Sequence, residues 1–275
     1  MTMLQPERPR TFGEDNYLTI RGQRIRVNVS AGVGVPLVMC NGIGAALEVF
    51  DPLVDWIEPD IPVVRFDVPG TGESPNSLLP YGFGYLVWLL ERVLDELGIG
   101  RADILGLSWG GALAQQFAAS NRHRCRRVVL VSTTTGMTMI PARPRVWWKM
   151  ATPRRFVDPL YAAEIAADIY GGSARSNPQI VAELFGRQPR AGSARGYVHQ
   201  VLALAGWTSL RALWAIKQPT LILAGQDDPI LPVINARIVH ALLPHSTLHI
   251  HRGGHVDVLT DAPTFGPLIS EFLTS

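Results

Sequence analysis

Apolar residues fall in short runs whose spacing changes along the chain. Tyr17-Leu18-Thr19-Ile20 and Ile25-Arg26-Val27-Asn28-Val29 mix apolar and polar positions and predict an opening hairpin. Leu37–Cys40, Val63–Phe66, Ala102–Leu105 and Val128–Val131 are nearly continuous apolar runs of strand length, and Thr220–Gly225 and Thr247–His251 are two more strand-length runs. Helical patterns separate most of them, such as Ala112–Ala119, which is built from strong helix formers. Buried strands alternating with helices predict a largely parallel sheet wrapped on both faces, an α/β architecture. The alternation fails between Met137 and Ala215, and that stretch lies between two core strands. The expected organisation is therefore a core of residues 1–136 and 216–275 carrying a helical cap of residues 137–215. Its aromatic residues, among them Trp147, Trp148, Phe156, Tyr170 and Trp207, are expected mostly to pack the cap itself. A few should line an apolar cleft, with Trp109 and Trp148 the first candidates.

Candidate chemistry concentrates where one predicted strand gives way to a helix. Gly106-Leu107-Ser108-Trp109-Gly110 has the G-x-S-x-G form of a nucleophile elbow, with a strand before it and a helix after it. On so tight a turn the serine hydroxyl is held out from the sheet edge. Serine is a weak nucleophile at neutral pH and needs a histidine base oriented by a carboxylate, in the chain order Ser, Asp or Glu, His. The strand Thr220–Gly225 breaks into Gln226-Asp227-Asp228-Pro229, a turn that places a carboxylate at a strand's carboxyl end. Turn geometry favours Asp228, directly before the proline, over Asp227, which reads as a solvated turn residue. The last strand runs into Arg252-Gly253-Gly254-His255, where two glycines let the loop turn back, so His255 is the expected base. His123, His240 and His245 read as surface residues and His199 as a helical position. His249, His251, His255 and Asp257 superficially resemble a metal cluster, but the strand histidines point away from a loop residue beyond two glycines. An oxyanion hole needs the amide after the nucleophile, Trp109, and a second from a loop after an earlier strand. Asn41-Gly42-Ile43-Gly44 supplies that loop, and the Ile43 amide is the expected donor. A dinucleotide-binding turn would need a third glycine where Leu47 stands.

These stretches carry a resemblance to the α/β-hydrolase superfamily from about Asn16 to Phe272, and within it to intracellular poly(3-hydroxyalkanoate) depolymerases that act on medium-chain polyesters. Phe66-Asp67-Val68-Pro69-Gly70-Thr71-Gly72-Glu73-Ser74 is of the common superfamily type. Ser108-Trp109-Gly110-Gly111-Ala112-Leu113-Ala114-Gln115-Gln116-Phe117, Ile169-Tyr170-Gly171-Gly172 and Gly206-Trp207-Thr208-Ser209-Leu210 are narrower. The resemblance implies an α/β-hydrolase fold, a mostly parallel twisted sheet flanked by helices with a helical cap insertion. It also places Ser108, Asp228 and His255 on the family triad. It implies hydrolysis of ester bonds, in a poly(3-hydroxyalkanoate) or its oligomers, with no cofactor and no metal. Other chemistries of the fold remain alternatives: small-ester cleavage, carbon–carbon bond hydrolysis, perhydrolysis, or a non-catalytic ligand-binding receptor. Haloalkane dehalogenation would need a carboxylate at position 108.

Composition fits one substantial core, with 275 residues of which 47% are hydrophobic. Met1–Arg10 has no apolar centre, so neither a signal peptide nor a membrane span is expected there, and the expected location is cytoplasmic. Cys40 and Cys125 then read as free thiols and Asn28-Val29-Ser30 as an unused sequon. A net charge of +2 makes no case for nucleic-acid binding. The cap carries ten basic residues against four acidic ones, and its arginines interleave with tryptophans. Such a face suits an anionic, partly apolar surface, for which a polymer granule is the candidate partner.

Overall fold

The computed structural model describes residues 13–150, 154, 158–186 and 192–275; Phe156, Arg155, Arg187 and Arg190 fall outside these. The expected strands form one eight-stranded sheet, β1 (Asn16–Ile20), β2 (Gln23–Val29), β3 (Leu37–Cys40), β4 (Val63–Phe66), β5 (Ala102–Leu107), β6 (Cys125–Val131), β7 (Thr220–Gly225) and β8 (Ser246–His251), in the order β1-β2-β4-β3-β5-β6-β7-β8. β1 and β2 form the antiparallel hairpin, β2 meets β4 antiparallel, and every later pairing is parallel.

Between the strands run α1 (Asp51–Val54), α2 (Phe83–Glu96), α3 (Trp109–Ser120), α4 (Pro144–Met150), α5 (Pro159–Tyr170), α6 (Ser173–Ser176), α7 (Gln179–Gly186), α8 (Ala194–Leu204), α9 (Ile234–Leu242), α10 (Asp257–Thr260) and α11 (Ala262–Thr274). The central strands read as unbroken apolar runs because both faces are covered. Val38, Cys40, Ile104, Val128, Leu130 and Ile222 face the layer that holds α2, α3 and α9. Their neighbours Leu37, Met39, Leu105, Val129, Val131 and Leu223 face the layer with α1, α10 and α11.

Among the described residues the named elements between β6 and β7 are all helical, α4 to α8 and a short 3-10 turn at Leu213–Ala215, joined by turns and coil. Its two arms are tied where they leave the sheet. Met137 N–H donates to Trp207 O at 2.9 Å, and Ser209 N–H donates to Thr135 O at 3.2 Å. Residue types predict two of its helix starts: Asp158 accepts from Tyr161 N–H at 3.1 Å ahead of Pro159, and Ser193 accepts from Gly196 N–H at 2.9 Å. Among the described residues no helix is long and apolar enough to cross a membrane. Both cysteines are buried and free, and burial pushes each thiol up from its ordinary value.

Candidate active site

Parallel strands bring their carboxyl ends to one edge of the sheet, and β5, β7 and β8 deliver the three candidate side chains there. Ser108 joins β5 to α3 with φ 52° and ψ −114°, a left-handed conformation that a serine adopts only when its surroundings impose it. Three contacts impose it. Ser108 N–H donates to Val131 O at 2.8 Å, and Ser108 O accepts from Gly111 N–H at 3.0 Å and from the Thr133 hydroxyl at 2.8 Å. The flanking glycines allow close approach: a Cβ on Gly106 would lie 2.4 Å from Gly110 O, and one on Gly110 would lie 2.1 Å from Cys40 O. The turn thus fits only because strand, helix and neighbouring strand meet without side chains between them.

The Asp228 carboxylate and the His255 imidazole are in contact. Asp228 Oδ2 lies 2.7 Å from His255 Nδ1, and both side chains are buried. Asp228 Oδ1 is occupied separately, accepting from the Ile230 and Leu231 N–H groups at 2.9 Å each. Its neighbour Asp227 does more than face solvent. Arg175 grips it through Nε and Nη2, at 2.5 and 2.9 Å, and Gly172 N–H donates to it at 2.8 Å. The Arg175 guanidinium holds the Asp227 carboxyl below the usual carboxylate range. Asp227 is thus an anchor for the α5–α6 turn. His255 N–H donates to Tyr170 O in that turn at 2.7 Å, and Asp257 accepts from the Ser173 N–H and hydroxyl. Gly171 and Gly172 have φ of 64° and 49°, and Cβ atoms there would meet Asp227 O at 1.8 Å and Gly254 N at 2.1 Å. So Ile169-Tyr170-Gly171-Gly172 wedges between the loops that carry Asp228 and His255.

Ser108 and His255 share the wall of a small cavity of about 40 Å³, with Gly42, Ile43, Phe185 and Val256 among its other residues. Among the described residues His255 hydrogen-bonds to Asp228 and Tyr170 and not to Ser108, a spacing that substrate binding commonly tightens. A larger cavity of about 340 Å³ also reaches Ser108, lined by Trp109, Val146, Trp147, Tyr197, Leu204 and Trp207 among others. Of the two tryptophans expected to line a cleft, Trp109 lines this cavity and Trp148 does not. Trp148 is 80% exposed, while Trp147 lines the cavity. Val146 is the buried residue of α4, and one helical step of 100° separates a residue beside that face from one facing away.

Ile43 lines both cavities, and Trp109 opens α3. Among the described residues neither amide N–H has a protein acceptor, as donors kept for an oxyanion require. The loop around Ile43 is fixed at several other points. Asn41 Nδ2 donates to Ala45 O at 3.2 Å, Leu47 N–H donates to Asp67 Oδ1 at 2.8 Å, and Gly44 N–H donates to Gln200 Oε1 at 3.0 Å. Burial is the main reason that Asp67 is pushed up to about 7, against the opposing pull of Arg26.

The other histidines are placed elsewhere. His123, His240, His245 and His249 are exposed, His251 packs against the Phe265 ring at 4.8 Å, and His199 bonds Ser77 at 3.1 Å. Sequence reasoning missed Trp147, Arg175 and Gln200. Trp147 was separable from Trp148 only by the phase of α4. Arg175 and Gln200 gave no local signal, since their partners are 52 and 156 residues away.

Known proteins resemble this chain along most of its length. The family model described as alpha/beta hydrolase fold matches residues 35–262. A poly(3-hydroxyalkanoate) depolymerase from Ectopseudomonas oleovorans is 43% identical over 273 residues, spanning 98% of this chain and 94% of that protein. 3-Oxoadipate enol-lactonase 2 from Acinetobacter baylyi is 26% identical, spanning 83% and 85%. The crystal structure of an enol-lactonase from Burkholderia xenovorans LB400 superimposes with a TM-score of 0.80 at 22% identity, covering 94% of this chain and 100% of that one, a likeness of fold. With a parallel sheet presenting a strained serine at its carboxyl edge, and with most of its length matched by the family model, this chain belongs to the α/β-hydrolase fold family and is an ester hydrolase.

Proposed function

We propose that the protein cleaves poly(3-hydroxyalkanoate) or its oligomers by a serine acyl-enzyme mechanism, with residues 137–215 acting as a cap over the site. The observation that carries this reading is a strained serine set between a buried His255–Asp228 pair and a large apolar cavity. Ser108 Oγ attacks the ester carbonyl carbon while His255 Nε2 takes its proton, and Asp228 holds the Nδ1–H tautomer. The Ile43 and Trp109 amides stabilise the oxyanion. The intermediate collapses by breaking the bond to the alcohol oxygen, which receives the proton from His255. Water, activated by the same imidazole, then attacks the acyl-enzyme and releases the acid and free Ser108.

The two cavities support one arrangement of the substrate's two halves. The leaving oxygen has to lie beside His255, which lines the small cavity and not the large one. The acyl chain therefore occupies the large cavity. Burying each methylene contributes about 0.8 kcal/mol, so kcat/KM should rise roughly three- to fourfold per added methylene until the cavity is full. Methyl esters of 3-hydroxy acids of graded length, assayed beside polymer suspensions with Ser108→Ala as blank, measure this. A profile that is flat, or highest for the shortest acid, would refute the assignment. Ligand-dependent stabilisation without product would identify a receptor instead.

The polymer surface is the partner that the outside of the cap fits. Trp148 projects from α4 beside exposed Arg143 and Arg145, and Trp147 and Val201 are partly exposed at the rim of the large cavity. Arg154, by contrast, is paired with Asp158 and stacked on Tyr161, which leaves Arg143 and Arg145 the better probes. Charge reversal at Arg143 and Arg145 is expected to weaken granule co-sedimentation at low salt and not at high salt, while Trp148→Ala weakens it at both. Hydrolysis of soluble esters should stay within about twofold, because none of the three approaches the triad. Undiminished sedimentation of all these variants would remove this face from substrate capture.

A further inference from the structure

We propose that Gln200, on cap helix α8, is a positioning residue for the oxyanion hole, holding both of its halves from above; the proposal rests on the serine mechanism above. Gln200 is 1% exposed and lines neither cavity, so it does not touch substrate. Its side chain accepts the Gly44 N–H at 3.0 Å, one residue beyond the Ile43 amide. Its own backbone carbonyl accepts the Trp109 indole N–H at 2.9 Å, and Trp109 supplies the other amide. One residue of the cap thus binds the loop that follows β3 and the residue that follows the nucleophile.

Gly44 has φ 72°, so the peptide between Ile43 and Gly44 is free to turn unless something selects one orientation. From the core, Asn41 and Asp67 hold the loop at Ala45 and Leu47, beyond that peptide. The bond to Gln200 fixes that peptide, which adjoins the Gly42–Ile43 peptide that carries the Ile43 N–H and whose carbonyl accepts from Ala45 N–H at 3.2 Å. It also satisfies a buried N–H that would otherwise be orphaned. Gln200 is in turn set firmly against the core. Its Nε2 donates to Gly196 O at 3.4 Å within α8, and Ser193 N–H, at the helix cap, donates to Gly70 O at 3.1 Å. A Cβ on Gly196 would lie 2.1 Å from Gly70 O, so helix and loop are in backbone contact. Electrostatic stabilisation of an oxyanion depends on donors being in place before charge develops, and a displacement of about 1 Å can cost 100-fold in rate.

Gln200→Leu removes both side-chain bonds at similar volume. It is expected to lower kcat on a soluble methyl ester by about 10- to 100-fold with KM within twofold. An alkyl boronic acid, whose tetrahedral serine adduct uses the oxyanion hole, should lose affinity by the same factor, while a fatty alcohol of equal chain length binds as before. Gln200→Glu keeps an acceptor for Gly44 N–H and should recover most of the rate. If Gln200→Leu does not melt cooperatively, Gln200→Met, closer in shape, replaces it in the comparison. Unchanged kcat, equal weakening of boronic acid and alcohol, or no recovery in Gln200→Glu would overturn the proposal. Wild-type protein without ester turnover, or turnover that survives Ser108→Ala, would overturn the serine mechanism and this role with it. Full kcat in Gln200→Leu beside a Ser108-dependent wild type would overturn the role of Gln200 alone.

Discussion

Ser108→Ala is expected to lower ester hydrolysis by about 10⁵- to 10⁶-fold, the loss typical of removing the nucleophile of a serine hydrolase. It should also abolish labelling by serine-directed phosphonates. The fold should persist, because the contacts that hold the elbow run through the backbone of residue 108, to Val131, Gly111 and Thr133. Alanine keeps those contacts and the left-handed strain alike, so the melting temperature should move by no more than a few degrees. Near wild-type turnover in a folded Ser108→Ala protein would refute the elbow reading.

The adjacent carboxylates should separate almost as sharply. In Asp228→Asn the two N–H groups of Ile230 and Leu231 still require an acceptor, which keeps the amide oxygen at the Oδ1 position. The amide NH₂ is then turned toward His255 Nδ1, 2.7 Å away in the native pair. Imidazole can accept that bond only with its proton on Nε2, the tautomer unable to take the proton of Ser108, and the rate should fall by about 10⁴-fold. Asp227→Asn leaves the tautomer alone and weakens an exposed pair with Arg175, a loss of about 1 kcal/mol or less. Its rate should stay within about tenfold of wild type. Parallel kcat measurements on the two variants decide the assignment, and equal losses or the reverse order would move the acid to Asp227.

Local pattern was enough for the sheet because strands covered on both faces admit few polar residues, and each expected strand appears within three residues of its predicted limits, β6 beginning at Cys125 and not Val128. The elbow was legible for a related reason: Gly106, Ser108 and Gly110 answer to steric demands within a few residues of one another. Asp227 is partly exposed as expected, but its pairing was not legible because Arg175 belongs to another segment of the chain, and a carboxylate in a turn looks the same with or without a guanidinium beside it. Trp147 and Trp148 differ by one helical step, which composition does not resolve. Asp257, which in the sequence only superficially suggested a metal cluster, is explained by the donors of Ser173, 84 residues earlier.

The wedge formed by Tyr170, Gly171, Gly172 and Ser173 limits how this protein could be recombined with its relatives. Exchanging only the helices between β6 and β7 would take away the carbonyl that receives the His255 N–H and the donors that Asp227 and Asp257 receive. Two charged groups and one amide would be stranded beside the imidazole, whatever substrate the incoming helices preferred. The transferable unit is therefore three separate segments, the insertion with its acid-bearing and histidine-bearing loops. Specificity in this chain cannot be exchanged as a module independent of the loops that carry Asp228 and His255.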